Sequence, residues 1–191
     1  GGTGTAIGAR LVSGGLGSDT GGSVRIPSAL NGIAGLRPTI GNYPRDGIVP
    51  ISSTRDTAGP MARTVGDLIL LDNVITGYDQ SIEGYELESV RLGLPSELFW
   101  SDLEVETRLM TESLLEKLRA AGAEITVVPI EGLVKIASGA TESVAYEAKR
   151  ELARYLQEFN TGISLADLAD QIASPDVLSF LGARLSGEEP V

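Results

Sequence analysis

The chain has 191 residues, 42% hydrophobic and 21% charged, which is enough for one sizeable core and argues against disorder. Its formal net charge of −11 would repel phosphate backbones, so nucleic acid is not an expected partner. Cysteine and histidine are both absent from the sequence, which excludes disulfides, thiolate or imidazole metal sites and a Ser-His-Asp triad. We therefore expect no cofactor and no metal.

The longest apolar stretch, residues 65–75, is too short to span a membrane and contains two aspartates. The first residues lack the charged and apolar regions of a secretory signal. We therefore expect a soluble, cytoplasmic protein with no membrane partner. The glycine-rich opening without an initiator methionine is typical of an internal loop, so we expect a piece of a longer polypeptide.

Residues 1–60 hold 14 of the 24 glycines and most of the turn-forming pairs, and short strands are predicted at 11–12 and 33–36. Many of these glycines stand between apolar residues, which favours backbone packed closely in a core over a loop-rich surface region. The pattern then changes to a helix at 64–75, with a threonine as its cap and a glycine after its end.

The second half of the sequence has a regular pattern of strands and helices. Strands predicted at 90–94 and 124–130 flank an amphipathic helix at 103–121. This order is a βαβ unit and implies a parallel pair of strands. Further helices are predicted at 132–159 and at 165–172.

Residues 17–28, with the sequence GSDTGGSVRIPS, carry the strongest indication of chemistry. Ser23 follows two glycines, with an acid four residues before it and an arginine two residues after it. Glycine backbone can present several N–H groups to one point, which would hold the negative charge that a serine nucleophile creates. Because histidine is absent, we interpret Ser23 as the nucleophile of a Ser-Lys type of enzyme. In the alternative interpretation Ser23 only caps the helix that follows, and Asp19 and Arg25 form a weak surface pair.

Other site types fit this segment less well. Asp19, Thr20 and Gly21 match the triplet of aspartic proteases, but such a site needs two copies and the chain has one. The N-terminal glycines lack the dinucleotide-binding spacing, and no Gly-Lys-Ser/Thr occurs. Arg25 replaces the last glycine of a Gly-x-Ser-x-Gly elbow. A serine hydrolase that works without histidine remains.

Three motifs in the first half resemble the amidase signature family. They are residues 17–28 (GSDTGGSVRIPS), 32–39 (GIAGLRPT) and 56–67 (DTAGPMARTVGD). Farther along, residues 171–177 (QIASPDV) are similar to the mandelamide hydrolase and indoleacetamide hydrolase branch. The resemblance implies an α/β fold class, with a mixed β-sheet core covered by helices on both faces, of which this chain is a fragment. Residues 1–77 would form the signature core with the nucleophile loop, and 78–191 the βαβ and helical remainder of the same domain.

The resemblance implies a serine amidase with a Ser–cis-Ser–Lys triad, in which Ser23 forms the acyl-enzyme. The backbone N–H groups that match the family's oxyanion hole belong to Thr20, Gly21, Gly22 and Ser23. The supporting positions around the nucleophile match Ser18, Asp19 and Arg25. The opposite charges of Asp19 and Arg25 predict an ion pair that locks the loop.

The family's bridging serine would directly precede Gly1, and its lysine lies farther upstream. The lysines of this chain, Lys117, Lys135 and Lys149, lie in the later helical region without the family's surroundings. The resemblance therefore implies that an upstream part of the same polypeptide supplies the lysine and the cis-serine. This chain alone would lack the base relay.

The reaction implied is hydrolysis of an amide to a carboxylic acid and ammonia, with an aromatic acetamide such as mandelamide as the small-molecule substrate. A homodimer is left open. Two alternatives also stay open: an amidotransferase subunit that acts in a tRNA-dependent complex, and an inactive structural fragment of an amidase.

Overall fold

The computed structural model describes residues 1–81, 84, 86–95, 98–182 and 185. Contacts within the chain form two compact units. The first comprises Gly1–Ile82 and Glu142–Val191, and the second comprises Glu83–Thr141.

The first unit contains a three-stranded antiparallel sheet. Its strands are β1 (Gly14–Asp19), β2 (Ala34–Gly35) and β3 (Thr57–Ala62), with β3 in the centre. The register pairs Asp19 at the end of β1 with Thr57 at the start of β3. The chain therefore leaves the sheet at Asp19, and Thr20 and the two glycines that precede Ser23 follow.

The strand predicted at 11–12 is wrong. These two residues lie in a bend and are exposed, and pairing with β3 starts only at Gly14. Three of the six residues of β1 are glycines, which lack the side chains that mark a strand in a sequence. The strand predicted at 33–36 is confirmed in the shorter form of β2.

The glycine-rich opening is helical, so the prediction of a loop there is wrong. Helix α1 (Gly2–Gly8) precedes β1, and a second helix, α2 (Arg25–Leu30), follows β1. A Cβ atom at Gly4 would lie 3.1 Å from the Pro27 Cβ. Glycine weakens a helix by about 1 kcal/mol relative to alanine. At Gly4, however, the missing side chain lets α1 approach α2 closely. Ile7, on the same helix, is fully buried.

The core of the first unit lies beside the loop that joins β1 to α2 (residues 20–24), which we call the nucleophile loop. Ile7, Val24 and Met61 form a buried cluster, with Ile33 packed against it. The packing is close: a Cβ atom at Gly35 would lie 2.2 Å from the Ser28 Oγ. Val24, the residue after Ser23, is therefore held inside the core. The close packing at Gly35 agrees with the prediction that glycine backbone is packed in a core.

The helix predicted at 64–75 is confirmed as α3 (Val65–Thr76). The Thr64 hydroxyl accepts a hydrogen bond from the Asp67 N–H, and Gly77 ends the helix with φ +75°.

The later predicted helices are confirmed as α5 (Leu133–Glu158) and α6 (Leu165–Asp170), and a short α7 (Pro175–Val177) leads into a π-helical turn. Ser164 and Asp167 form a reciprocal capping box at α6. Although α5 has 26 residues, neither it nor any other helix in the described part of the chain has an apolar stretch able to cross a membrane.

The second unit is the predicted βαβ unit. Strands β4 (Arg91–Pro95) and β5 (Glu124–Val128) pair in parallel, and α4 (Val105–Ala120) connects them. Gly122 follows α4 with φ +99°. The sheets of the two units thus differ in kind, antiparallel in the first and parallel in the second.

Candidate active site

The candidate nucleophile Ser23 lies in the loop between β1 and α2. Ser23 is exposed, whereas its neighbours Gly22 and Val24 are buried. The cap position of α2 is Val24, with no side-chain cap hydrogen bond, so the alternative that Ser23 caps this helix is wrong. Ser23 is therefore exposed to solvent, while the residues on both sides of it are packed in the protein.

Gly22 is the residue that the loop conformation requires to be glycine. Its φ of +133° is strained for any residue with a Cβ. A Cβ atom built there would lie 2.7 Å from the Ile26 Cδ1. Gly21, by contrast, has no described atom within 4 Å of such a Cβ. The two adjacent glycines are therefore not equivalent in this structure.

The backbone of the loop is folded around the Asp19 carboxylate, which is fully buried. Its Oδ1 accepts a hydrogen bond from the Gly22 N–H at 2.9 Å. Its Oδ2 accepts from the N–H groups of Val24 at 3.1 Å and Arg25 at 3.4 Å. One side chain thus fixes the backbone on both sides of Ser23.

Two arginines neutralise this buried charge. The Arg25 Nε and Nη2 donate to the two carboxylate oxygens, each at 3.1 Å, so the ion pair expected between Asp19 and Arg25 is present. The Arg37 Nη1 donates to the Asp19 Oδ1 at 2.8 Å and also to its backbone carbonyl. The Arg37 Nη2 donates to the Arg55 carbonyl at 2.6 Å. The alternative of a weak surface pair is wrong, because the Asp19 carboxylate is fully buried and pairs with Arg37 as well as with Arg25.

Burial alone would raise the pKa of Asp19, but hydrogen bonds from the Arg25 side chain and from the Val24 and Arg25 N–H groups lower it to about 2. The hydrogen bond to Asp19 in turn raises the pKa of the Arg25 guanidinium. Asp19 is therefore a fixed carboxylate that organises the loop. It is not suited to be the proton donor or acceptor of an aspartic protease.

Three of the four N–H groups assigned to the oxyanion hole have no acceptor among the residues that the structure describes. Within the described residues, no hydrogen bond engages the N–H groups of Thr20, Gly21 and Ser23, whereas that of Gly22 is used by Asp19. Free N–H groups beside an exposed serine are the arrangement that stabilises an oxyanion. The Gly22 N–H instead serves to hold the loop in shape.

Thr20 and Ser18 lie at the edge of the loop. The Thr20 Oγ1 donates to the Asp56 Oδ1 at 2.5 Å, and Ser18 is exposed on β1, opposite Ala58. None of the hydrogen bonds or ion pairs in the described part of the chain joins a lysine to Ser23.

The sequence interpretation missed two residues, Arg37 and Asp56. Both stand inside motifs that resemble the family, so a signal for them was present in the sequence. Their roles depend on partners 18 and 36 positions away in the chain, which a local pattern does not reveal.

The family model described as Amidase matches residues 1–189. The chain is 40% identical over 190 residues to an indoleacetamide hydrolase of Agrobacterium vitis, covering 99% of this chain and 41% of that protein. It is 46% identical over 177 residues to a mandelamide hydrolase of Pseudomonas putida, covering 92% and 34%. One of the subunits of the glutamyl-tRNA(Gln) amidotransferase of Halorhodospira halophila is 37% identical over 171 residues, covering 81% and 35%. The chain thus spans less than half the length of these relatives.

The chain is also similar to a solved amidase structure. The native peptide amidase of Stenotrophomonas maltophilia superposes with a TM-score of 0.77 at 33% identity, covering 98% of this chain and 42% of that one. This similarity confirms the expected α/β fold class and the expectation that the chain is a fragment of that fold.

Proposed function

This chain belongs to the Amidase family, and we propose that it supplies the nucleophile and oxyanion hole of a serine amidase. The observation that supports this most directly is the exposed Ser23 in a loop whose backbone is fixed on a buried, doubly paired Asp19. The loop leaves N–H groups free next to a hydroxyl, which is the chemistry that acyl transfer needs.

In the proposed mechanism the Ser23 Oγ attacks the carbonyl carbon of the amide. Its proton passes through a bridging serine to a neutral lysine, and both groups come from the upstream part of the same polypeptide. The negative charge on the carbonyl oxygen is held by the free N–H groups of the loop. The C–N bond then breaks, and the nitrogen takes the proton and leaves as ammonia. Water attacks the resulting ester, which releases the carboxylic acid and restores the Ser23 hydroxyl.

We propose an aromatic acetamide such as mandelamide as the substrate. Support comes from the names of two relatives, an indoleacetamide hydrolase and a mandelamide hydrolase. The compounds in these names, indoleacetamide and mandelamide, both have an aromatic group joined to an acetamide. The expected result is faster turnover of mandelamide than of a short aliphatic amide. Preference for the aliphatic amide would contradict this substrate class.

An aryl fluorophosphonate tests the nucleophile directly. Attack by the Ser23 Oγ would form an O–P bond, break the P–F bond and release fluoride and the hydroxyl proton, so the polypeptide gains the mass of one inhibitor molecule less HF. We expect one adduct, mapped to Ser23, and none in the Ser23→Ala variant. An unlabelled wild-type protein, or equal labelling of both proteins, would contradict the proposal. Labelling only of the complete polypeptide, and not of residues 1–191, would support an upstream base.

A second candidate function is participation in an amidotransferase complex, which the 37% identity to one subunit of a glutamyl-tRNA(Gln) amidotransferase favours. Copurification with tRNA and a second protein, without hydrolysis of free arylacetamides, would support it. The third alternative, an inactive structural fragment of an amidase, predicts that residues 1–191 alone form no adduct.

A further inference from the structure

Another buried carboxylate, Glu147 on α5, contacts the segment that precedes β3. Glu147 is 9% exposed. Its carboxylate accepts hydrogen bonds from the Ser52 Oγ and from the Thr54 Oγ1, the latter at 2.9 and 3.0 Å. The Thr54 N–H donates to it at 3.4 Å. Ser52 is fully buried, so this contact is made inside the first unit.

The same segment, residues 51–56, which we call the bridging loop, also contacts the nucleophile loop. The Asp56 Oδ2 accepts hydrogen bonds from the N–H groups of Ile51 at 2.7 Å and Ser52 at 2.8 Å. The other oxygen, Oδ1, accepts from the Thr20 Oγ1. Arg37 adds a second connection, since it donates to both the Arg55 carbonyl and Asp19.

These contacts form a continuous path from α5 to the residue before Gly21. Glu147 fixes the Ser52 hydroxyl, Ser52 and Asp56 fix the turn of the bridging loop, and Asp56 fixes Thr20. Thr20 carries one of the free N–H groups of the proposed oxyanion hole. We infer that Glu147 is a positioning residue for the nucleophile loop, acting through the bridging loop; this inference rests on the proposed function.

Glu147 is suited to this role as a carboxylate rather than as a neutral acid. Burial raises its pKa, but hydrogen bonds from the Ser52 and Thr54 hydroxyls and the Thr54 N–H lower it below the usual value. A glutamine at this position has the same shape, but one oxygen is replaced by an NH2 group that cannot accept these donors. The remaining amide oxygen carries no charge and can accept only part of these hydrogen bonds, so the path would be weakened at its α5 end.

The test uses the complete polypeptide and the rate of phosphonylation of Ser23, which does not depend on knowing the substrate. For Glu147→Gln we expect the maximal rate to fall roughly tenfold, because small displacements of a positioned group cost rate steeply. The inhibitor concentration for half-maximal rate should stay within about twofold, as expected when orientation changes rather than binding. Circular dichroism at the assay temperature must show the same folded signal as the wild type.

A matched pair of alanine variants covers the case in which Glu147→Gln does not fold. Ser52→Ala removes a hydroxyl that donates to Glu147, whereas Ser53→Ala removes the neighbouring hydroxyl, which contacts Arg150. We expect slower labelling only for Ser52→Ala. In a double-mutant cycle, Glu147→Gln and Thr20→Val should be less than additive, because both break the same path.

Wild-type labelling rates in folded Glu147→Gln and Ser52→Ala proteins would overturn the inference while leaving the proposed nucleophile intact. A wild-type protein that labels no better than Ser23→Ala would instead overturn the proposed function. Equal loss of rate in Ser52→Ala and Ser53→Ala would also overturn the inference, since it would show a general disturbance of the bridging loop.

Discussion

The nucleophile loop and the βαβ unit are held in different ways. In the loop, N–H groups of the backbone and of two arginines donate to one buried carboxylate, that of Asp19. The loop consists of bends and turns, and its backbone is held by hydrogen bonds from Gly22 and Val24 to the Asp19 carboxylate. In the βαβ unit, β4 and β5 are held to each other by the backbone hydrogen bonds of a parallel pair, and none of the residues of α4, all of which the structure describes, is buried. Local regularity and positional constraint are therefore separate properties in this chain, and the candidate chemistry lies where constraint is high and regularity low.

The largest effect in this comparison is expected for Asp19→Asn, which removes the charge but keeps the shape. Two arginines would lose their carboxylate and an NH2 group would face N–H donors. We expect a cost of about 2 kcal/mol, below that of a fully buried pair, because the Arg25 side chain is 54% exposed. We expect loss of Ser23 labelling and faster hydrogen exchange in β1 and α2, with β4 and β5 unchanged. The control Asp167→Asn changes an exposed cap of α6 and should leave labelling intact.

Acid should weaken the same contacts without a mutation. The pKa of Asp19 is about 2 in the folded protein and about 4 in an unfolded chain, so the charged form stabilises the fold above pH 4. This stabilisation, about 2 kcal/mol, is lost as the pH falls from 4 to 2. Urea unfolding at several pH values would measure it, and the slope in this range should be flatter for Asp19→Asn. Equal slopes in the two proteins would show that Asp19 is not the group responsible.

The two adjacent glycines allow a sharper test of the loop. Gly22→Ala places a Cβ at a positive φ and against Ile26, so we expect a loss of roughly 1 to 2 kcal/mol. Gly21→Ala has open space in the described structure and should leave the free energy of unfolding nearly unchanged. Thermal unfolding of both variants measures the difference. A Gly21→Ala protein as unstable as Gly22→Ala would contradict the geometry described for the loop.

The smallest effect is expected in the βαβ unit. Glu106 lies in the first turn of α4, where its charge interacts with the helix dipole. Glu106→Gln should cost about 0.5 kcal/mol and leave the Ser23 labelling rate at the wild-type value. Hydrogen exchange of α4 would detect the local change. A slower labelling rate in this variant would contradict the expectation that a change at α4 leaves the nucleophile loop unaffected.

The sequence predicted the regular elements because their signals are local. Helix α3 has its cap and terminal glycine within the motif, and the alternation of β4, α4 and β5 has the spacing of a βαβ unit. Strands β1 and β3 were not recognised, because glycines interrupt the first and a proline the second, and their pairing joins distant residues.

The candidate site was predicted in part for the same reason. The Asp19–Arg25 pair spans six residues and could be inferred from opposite charges around Ser23. Arg37 and Asp56 act over longer separations, and the role of an N–H group, such as that of Gly22, depends on φ values that side-chain identity does not specify. The roles assigned to Ser23 and to the oxyanion hole stay predictions.

The contact between Ser52 and Glu147 joins residues 95 positions apart. On a ribosome that adds about 5 to 20 residues per second, the bridging loop emerges roughly 5 to 20 seconds before its α5 partner is made. During that interval a nascent polypeptide carries the serine hydroxyl without the support that holds its loop. Synthesis order therefore delays formation of the contact between the bridging loop and Glu147 until the chain has passed α5.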